Sequence, residues 1–308
     1  MPLAPRLHHD WHLRTRTLAL GQRTLVMGIL NVTPDSFSDG GLYYSPERAP
    51  ERAVTQALKM LDEGADILDL GGESTRPNAT PLTPEEEQSR VLHVISSLLK
   101  QRPRTILSID TFHASTARLA IEAGAEIVND VSGHLWDSDM SATCAALNCG
   151  TVLMHTRGRP QEWETLPSLA PDEVTPLVVT QLLERLKAAL VAHISPKKII
   201  IDPGLSFGKR FDENYSLLAH LDQFRQFHLP ILIGVSRKRF LADTLMRSAA
   251  LATVLQGETP TMDDRLNATT AANVAAILAG AHILRVHDVS PAVEAASIAD
   301  RILAAASA

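Results

Sequence analysis

Two cysteines, Cys144 and Cys149, are all that this chain of 308 residues contains. That excludes a disulfide framework and leaves too few sulfur ligands for a structural zinc site. They lie five residues apart in a segment that reads as helix, where small buried hydrophobes are expected. Aromatic residues are equally scarce at 4 %, so Ala, Leu, Ile and Val must build the core. No apolar stretch approaches the roughly 20 residues of a membrane-spanning helix. The N-terminal stretch MPLAPRLHHDWHLRTRT lacks the apolar centre of a signal peptide, so the cytoplasm is the expected location. There is no block of Lys or Arg, and the net charge is −6. That argues against a nucleic acid or an anionic membrane as partner. No G-x-S-x-G elbow, P-loop, G-x-G-x-x-G or H-E-x-x-H occurs, so covalent nucleophilic catalysis is not indicated.

What is present is a repeated punctuation. Eight short apolar runs occupy Leu25–Leu30, Ile67–Leu70, Ile106–Ile109, Ala125–Val128, Thr151–Met154, Ile199–Ile201, Ile231–Val235 and Ile283–Val286. Each is followed by a polar cluster, in order NVTPDSFSDGG, GGESTRP, DTFH, NDVSG, HTRGRP, DPGLSFGK, SRK and HDV. A strand covered by helices on both faces reads as a continuous apolar run. Segments of helical periodicity lie between the runs. They cover residues 46–64, the capping box at Thr83–Pro84–Glu85–Glu86, Ala114–Gly124, 172–192, Asp263–Gly280 and Ser290–Ala306. Alternating strand and helix implies parallel strands with crossover connections. The expected fold is α/β, a single (β/α)8 TIM barrel over residues 25–308. Residues 1–24 form an N-terminal arm, in which the alternating piece Trp11–Leu20 could make a hairpin that plugs the closed end. Phe240–Leu255 is apolar enough for an added helix. His8, His9 and His12 sit close together but in a polar arm, and solvated side chains are the expected reading.

Polar clusters at the C-terminal ends of barrel strands are where such a fold builds an active site. Arg76, Lys238, Arg285 and His287 lie at the ends of three different strands and therefore converge at one rim, which suggests a phosphate-bearing anion. Asp110, Asn129 and Asp202 each follow a strand's last apolar residue and point into the mouth. A flat heterocycle with ring N–H and exocyclic NH2 donors would satisfy them. Capping of the next helix, or pairing with the Arg and Lys, is the plainer alternative for the two acids. Asn31 leads into a loop rich in glycine and small polar residues that carries Phe37. Gly71–Gly72 leads into a second loop with Thr75, Arg76 and Pro77. Two such loops at one rim read as lids over a substrate.

In this order, NVTPDSFSDGG, DLGGESTRP, SIDT, VNDVSG, IDPG-LS-FGK, SRK and RVHDV resemble the dihydropteroate synthase family, from about Leu25 to Val289. The resemblance implies condensation of 6-hydroxymethyl-7,8-dihydropterin pyrophosphate with 4-aminobenzoate, a pocket open to sulfonamides, and a homodimer formed through the last helices. It implies that Asp110, Asn129, Met154, Asp202, Lys238 and Arg285 hold the pterin, and that Asp110, Asp202, Lys238 and Arg285 act in catalysis. Asn31, Arg76, Arg285 and His287 would take the pyrophosphate, with Asn31 the protein's ligand to Mg2+. Phe37, Thr75, Arg76, Pro77, Phe207, Ser236 and Lys238 would form the 4-aminobenzoate pocket. The chain departs from the family pattern at Ser206, where a glycine is usual. It departs again at His113, expected on the surface where a lysine is common, and at Asn78. A non-catalytic pterin-binding paralogue and a pterin-binding methyltransferase module are the competing readings. The second would need a cobalamin domain that this chain lacks.

Overall fold

The computed structural model of the chain describes residues 5–33, 49–74, 80–251 and 258–306. A short antiparallel hairpin, β1 (His9–His12) and β2 (Thr17–Leu20), comes first. The barrel strands are β3 (Leu25–Asn31), β4 (Ile67–Gly71), β5 (Ile106–Asp110), β6 (Ile127–Asp130), β7 (Gly150–Met154), β8 (Ile199–Asp202), β9 (Leu232–Ile233) and β10 (Ile283–Val286). They form one parallel sheet in the order β8-β7-β6-β5-β4-β3-β10-β9. A parallel bridge between Ile201 and Ile231 joins its two ends into a ring. Each of the eight expected runs carries a strand. The seventh, Leu232–Ile233, is shorter than Ile231–Val235: Ile231 pairs only through the single bridge, and its N–H donates to His282 Nδ1.

Helices α1 (Ala49–Asp62), α2 (Pro84–Gln101), α3 (Ala114–Glu122), α4 (Met140–Leu147), α5 (Pro171–Val191), α6 (Phe211–Ala219), α7 (Arg239–Arg247), α8 (Leu266–Leu278) and α9 (Val289–Ala306) surround it. The start of α2 shows why the sequence was readable. Thr83 Oγ1 accepts from the Glu86 N–H at 3.3 Å, and Glu86 Oε2 accepts from the Thr83 N–H at 2.9 Å. Four residues of its inner face, Val91, Val94, Ile95 and Leu98, are fully buried. Burial of each stabilises by roughly 1.5–3 kcal/mol. Helix α3 closes at Gly124 with φ +114°, a conformation that glycine adopts without a steric penalty. Cys144 and Cys149 are free and buried, as expected of small hydrophobes. The added helix after the seventh strand is real but ends at Arg247.

Alternation along each strand divides the barrel interior into two zones. Met27, Ile67, Ile127, Ile200, Leu232 and Ile283 join Trp11, Leu13 and Leu20 of the hairpin in one buried cluster at the closed end. The hairpin is the plug. Trp11 is fully buried and its Nε1 donates to Lys198 O at 2.9 Å, while Lys198 Nζ donates to Leu13 O and Asn148 O. Gly150 permits the contact, since a Cβ there would lie 2.8 Å from Leu13 and 3.2 Å from Trp11. The histidine arm is not uniformly solvated: the His9 ring packs edge-on to His282 at 5.2 Å. Two residues further along each strand than the apolar cluster, the inward positions become Asp69, Ser108, Asn129, Asp202 and Arg285, and the interior turns polar.

Candidate active site

Register and pleat carry the expected residues to one end. Asn31 pairs with Gly71, Gly71 with Asp110, and Asp110 with Asn129 across neighbouring strands, and Met154 pairs with Asp202. Asp110 and Arg285, on strands that are not neighbours, meet across the interior: Arg285 Nη2 donates to Asp110 Oδ2 at 2.5 Å. Arg285 Nε donates to Asp69 Oδ2 at 2.6 Å, and Asn129 Nδ2 donates to the same oxygen at 2.9 Å. Thus Asp110 takes up the plainer role of pairing with an arginine while still lining the mouth.

Asp202 Oδ1 accepts from the Gly204 N–H at 2.7 Å, which fixes its carboxyl at the start of the following loop. Lys238 Nζ donates to Leu205 O and lies 4.5 Å from the centre of the Phe207 ring, within cation–π range. Ser236 Oγ contacts both the backbone N–H and Nδ1 of His287, at 3.1 and 3.0 Å. So Phe207, Ser236, Lys238 and His287 come together on the β8–β10 side of the mouth. Met154, nearly buried, ends β7. Phe37, Thr75, Arg76, Pro77 and Asn78 lie outside the described residues.

Burial and charge tune these groups. Burial raises the Asp110 carboxyl to about 7 against the pull of Arg285, and the neighbouring Asp69 reinforces the rise. Burial also raises Asp202, opposed by the Gly204 N–H and by Lys238. Burial lowers the Lys238 ammonium to about 7 although Asp202 holds it up. Burial works against the charged Arg285, but Asp69 and Asp110 outweigh it and hold the guanidinium above its usual range. Titratable groups displaced toward neutrality within one mouth mark a functional site.

Among the described residues, no three His, Cys, Asp or Glu side chains gather to hold a metal ion. A Mg2+ bound mainly through substrate phosphates and water needs only one or two protein ligands. Asn31 Oδ1 and Asp110 Oδ2 lie on the same side of Gly71, each 3.7 Å from where a Cβ would be. One neutral amide oxygen beside a carboxylate suits a hard cation.

The sequence reading left out two parts of the site. Asp69 is fully buried inside β4, and an acid within an otherwise apolar strand was the available signal. Arg237 adopts φ +58° between Ser236 and Lys238 and is held by Asp288, with Nε to Oδ2 at 2.9 Å. Its pairing tightens the turn that presents both neighbours. Two departures from the family pattern also have structural content. Ser206 sits at φ +70°, where glycine is usual, and its N–H donates to Asn214 Oδ1 at 2.6 Å. His113 is not a free surface residue: its Nε2 lies 3.2 Å from Glu73 Oε2, and Glu73 Oε1 also accepts from the Leu82 N–H.

Comparison with known proteins agrees with this arrangement. Residues 27–287 match the family described as pterin binding enzyme. The chain is 38% identical to a dihydropteroate synthase of Bacillus subtilis, over 95% of this chain and 93% of that one. It is 39% identical to a mitochondrial folate synthesis bifunctional protein of Pisum sativum over 92% of this chain, and it spans about half (54%) of that relative's length. Among solved structures, a dihydropteroate synthase of Xanthomonas albilineans with 4-aminobenzoic acid superposes with a TM-score of 0.84 at 38% identity, covering 97% of this chain and 99% of that one. The chain belongs to the family of pterin binding enzymes that includes the dihydropteroate synthases.

Proposed function

We propose that the chain condenses 6-hydroxymethyl-7,8-dihydropterin pyrophosphate with 4-aminobenzoate to give 7,8-dihydropteroate and pyrophosphate. The observation that carries this reading is the convergence of Asp110, Asn129, Asp202, Lys238 and Arg285 at one barrel mouth, in a member of this family. A pterin offers a 2-amino/N3–H edge to Asp202 and Asn129. Lys238 donates to O4 and N5, and Met154 lines the slot. Phe207 and Ser236, with the outlying Phe37, Thr75 and Pro77, form the arylamine side. His287, Arg76 and Arg285 neutralise the pyrophosphate.

Asn31 would hold a Mg2+ whose chemistry is to neutralise phosphate charge. The protein's own part is electrostatic and geometric. As the C–O bond to pyrophosphate breaks, positive charge grows on the pterin methylene, and ionised Asp110 lies where it stabilises that charge. Lys238 and Arg285 keep the departing anion and the ring oriented, and the arylamine nitrogen attacks without a strong base, its surplus proton passing to the released pyrophosphate or to solvent. Arg285 donates to the Asp110 carboxyl; drawing that guanidinium toward pyrophosphate would free the carboxylate for the cation. The exposed Ile298 and Ile302 of α9 support a homodimer through the last helices. Residence in the cytoplasm and competition by sulfonamides complete the reading.

The test is incubation with the two substrates and Mg2+, following pyrophosphate release and dihydropteroate together. Arylamine-dependent release with stoichiometric dihydropteroate is expected. Tight pterin binding with no turnover would replace this reading by the non-catalytic paralogue. Sedimentation showing monomer alone would remove the dimer.

A further inference from the structure

Asp69 is assigned no part by the motifs or by the scheme above, yet it holds two of the expected residues, Asn129 and Arg285, through one oxygen. It comes from β4, whereas its two donors come from β6 and β10, so its bonds cross the barrel interior and do not follow a strand pair. A carboxylate accepts and does not donate, so it dictates how each partner is turned. Asn129 must aim Nδ2 at Asp69, which leaves Oδ1 on the opposite side of the amide. Arg285 must present Nε, and with Asp110 on Nη2 the guanidinium plane is held from two edges.

The layer is retained at a cost. Asp69 Oδ1 and Ser108 Oγ, on register-paired residues, are both buried without a partner among the described residues. Each such atom costs about 1–3 kcal/mol. Two residues toward the closed end, the same strands carry Ile67 and Ile106, which pack with no such cost. Stability alone would favour apolar residues in both layers.

We propose that Asp69 is a positioning residue that sets the hydrogen-bond polarity of the ligand pocket, by making Asn129 present an acceptor and so selecting a heterocycle that offers an amino donor there. The proposal rests on the pterin reading above and adds to it the residue that chooses between an amino and a carbonyl edge. Asp69→Asn keeps the shape but leaves one neutral amide oxygen where the carboxylate oxygen takes both donors, so the hold on Asn129 Nδ2 weakens and its amide can flip. Calorimetric binding of pterin and of lumazine, which carries a carbonyl oxygen in place of the 2-amino group, reads that flip.

The wild type is expected to prefer pterin by ~100-fold or more, since a site built around a donor rejects the analogue without it. In Asp69→Asn the preference should fall at least ~10-fold with the melting temperature nearly unchanged. Equal weakening of both ligands, with the ratio intact, means a structural role only and overturns the proposal. A second readout needs no ligand. The Arg285 Nε–H, assigned by its loss in Arg285→Lys, should exchange with water at least ~10-fold faster in Asp69→Asn. Unchanged exchange overturns the proposal whatever binds. Expected exchange without pterin binding to the wild type instead removes the pterin reading, and with it the selection argued here. Should Asp69→Asn fail to fold, Asp69→Ser, which cannot hold both donors, faces the same two measurements.

Discussion

Asp110 and Arg285 meet across the barrel at 2.5 Å, from strands separated by β4 and β3, and neither charge is compensated within its own segment. Their contact brings a carboxylate and a guanidinium into one mouth, the two charges that the proposed scheme uses for the cation and for the anion. The side chains keep 17% and 20% of their exposure, so both remain open to a ligand.

A pH profile follows. Asp110 at about 7 must be ionised, and Lys238 at about 7 must be protonated, for the proposed chemistry. Activity rises as Asp110 loses its proton and falls as Lys238 loses its own, so kcat/KM should be a narrow bell centred near neutrality. Asp110→Asn should cut kcat by about 10²–10³ and abolish the acid limb. Lys238→Arg should move the alkaline limb upward. An acid limb that persists in Asp110→Asn would refute the assignment.

The Glu73–His113 pair predicts a pH-dependent stability. The hydrogen bond that His113 donates to Glu73 raises the His113 pKa, against burial. A histidine raised on folding stabilises fully below its ordinary value of 6.5, and that contribution is lost as pH rises through the folded value. Glu73→Gln should therefore lower the Tm more at pH 6 than at pH 9, by at least about 1 °C. Equal losses at both pH values would show that the pair contributes no charge.

Ser206→Gly should stabilise. Serine at φ +70° carries a left-handed strain of about 1–2 kcal/mol, partly offset by the extra freedom of glycine when unfolded. The expected net gain is about 0.5–1 kcal/mol, seen as a higher urea midpoint with an unchanged slope. A lower midpoint would mean that the serine side chain makes a compensating contact.

Trp11→Ala should cost about 3–5 kcal/mol in urea unfolding, because it empties the plug at the closed end. The site lies at the opposite end, so KM for either substrate should stay within about twofold at temperatures where the variant is folded. A large change in KM would show that the plug shapes the mouth.

Metal dependence tests Asn31. Chelation should abolish turnover, and Asn31→Ala should raise the Mg2+ concentration for half activity about tenfold or more, as expected when a protein ligand to a largely hydrated ion is lost. An unchanged Mg2+ requirement would assign the ion to other groups.

Much of the fold was legible because a parallel barrel buries its strands on both faces. Ile67–Leu70 or Ile199–Ile201 then stand out as apolar runs, and each polar residue that follows one has a determined end of the barrel to occupy. The capping box at Thr83 and the glycine at 124 were legible for a local reason, since each acts within a few residues of itself. Asp69 was missed because it lies inside a run, not after one, and its partners are 60 and 216 positions away. His113 was misjudged for the same reason, its partner Glu73 being 40 positions earlier.

The strand and helix alternation, the parallel barrel and the end that holds the polar residues are written along the chain, because periodicity and capping are short-range physics. That one buried acid is shared by Asn129 and Arg285, and that Asp110 meets that arginine and not a lysine, emerge only in the folded chain. Those outcomes depend on barrel closure and on the stagger between strands, which set distances that no spacing along the chain encodes.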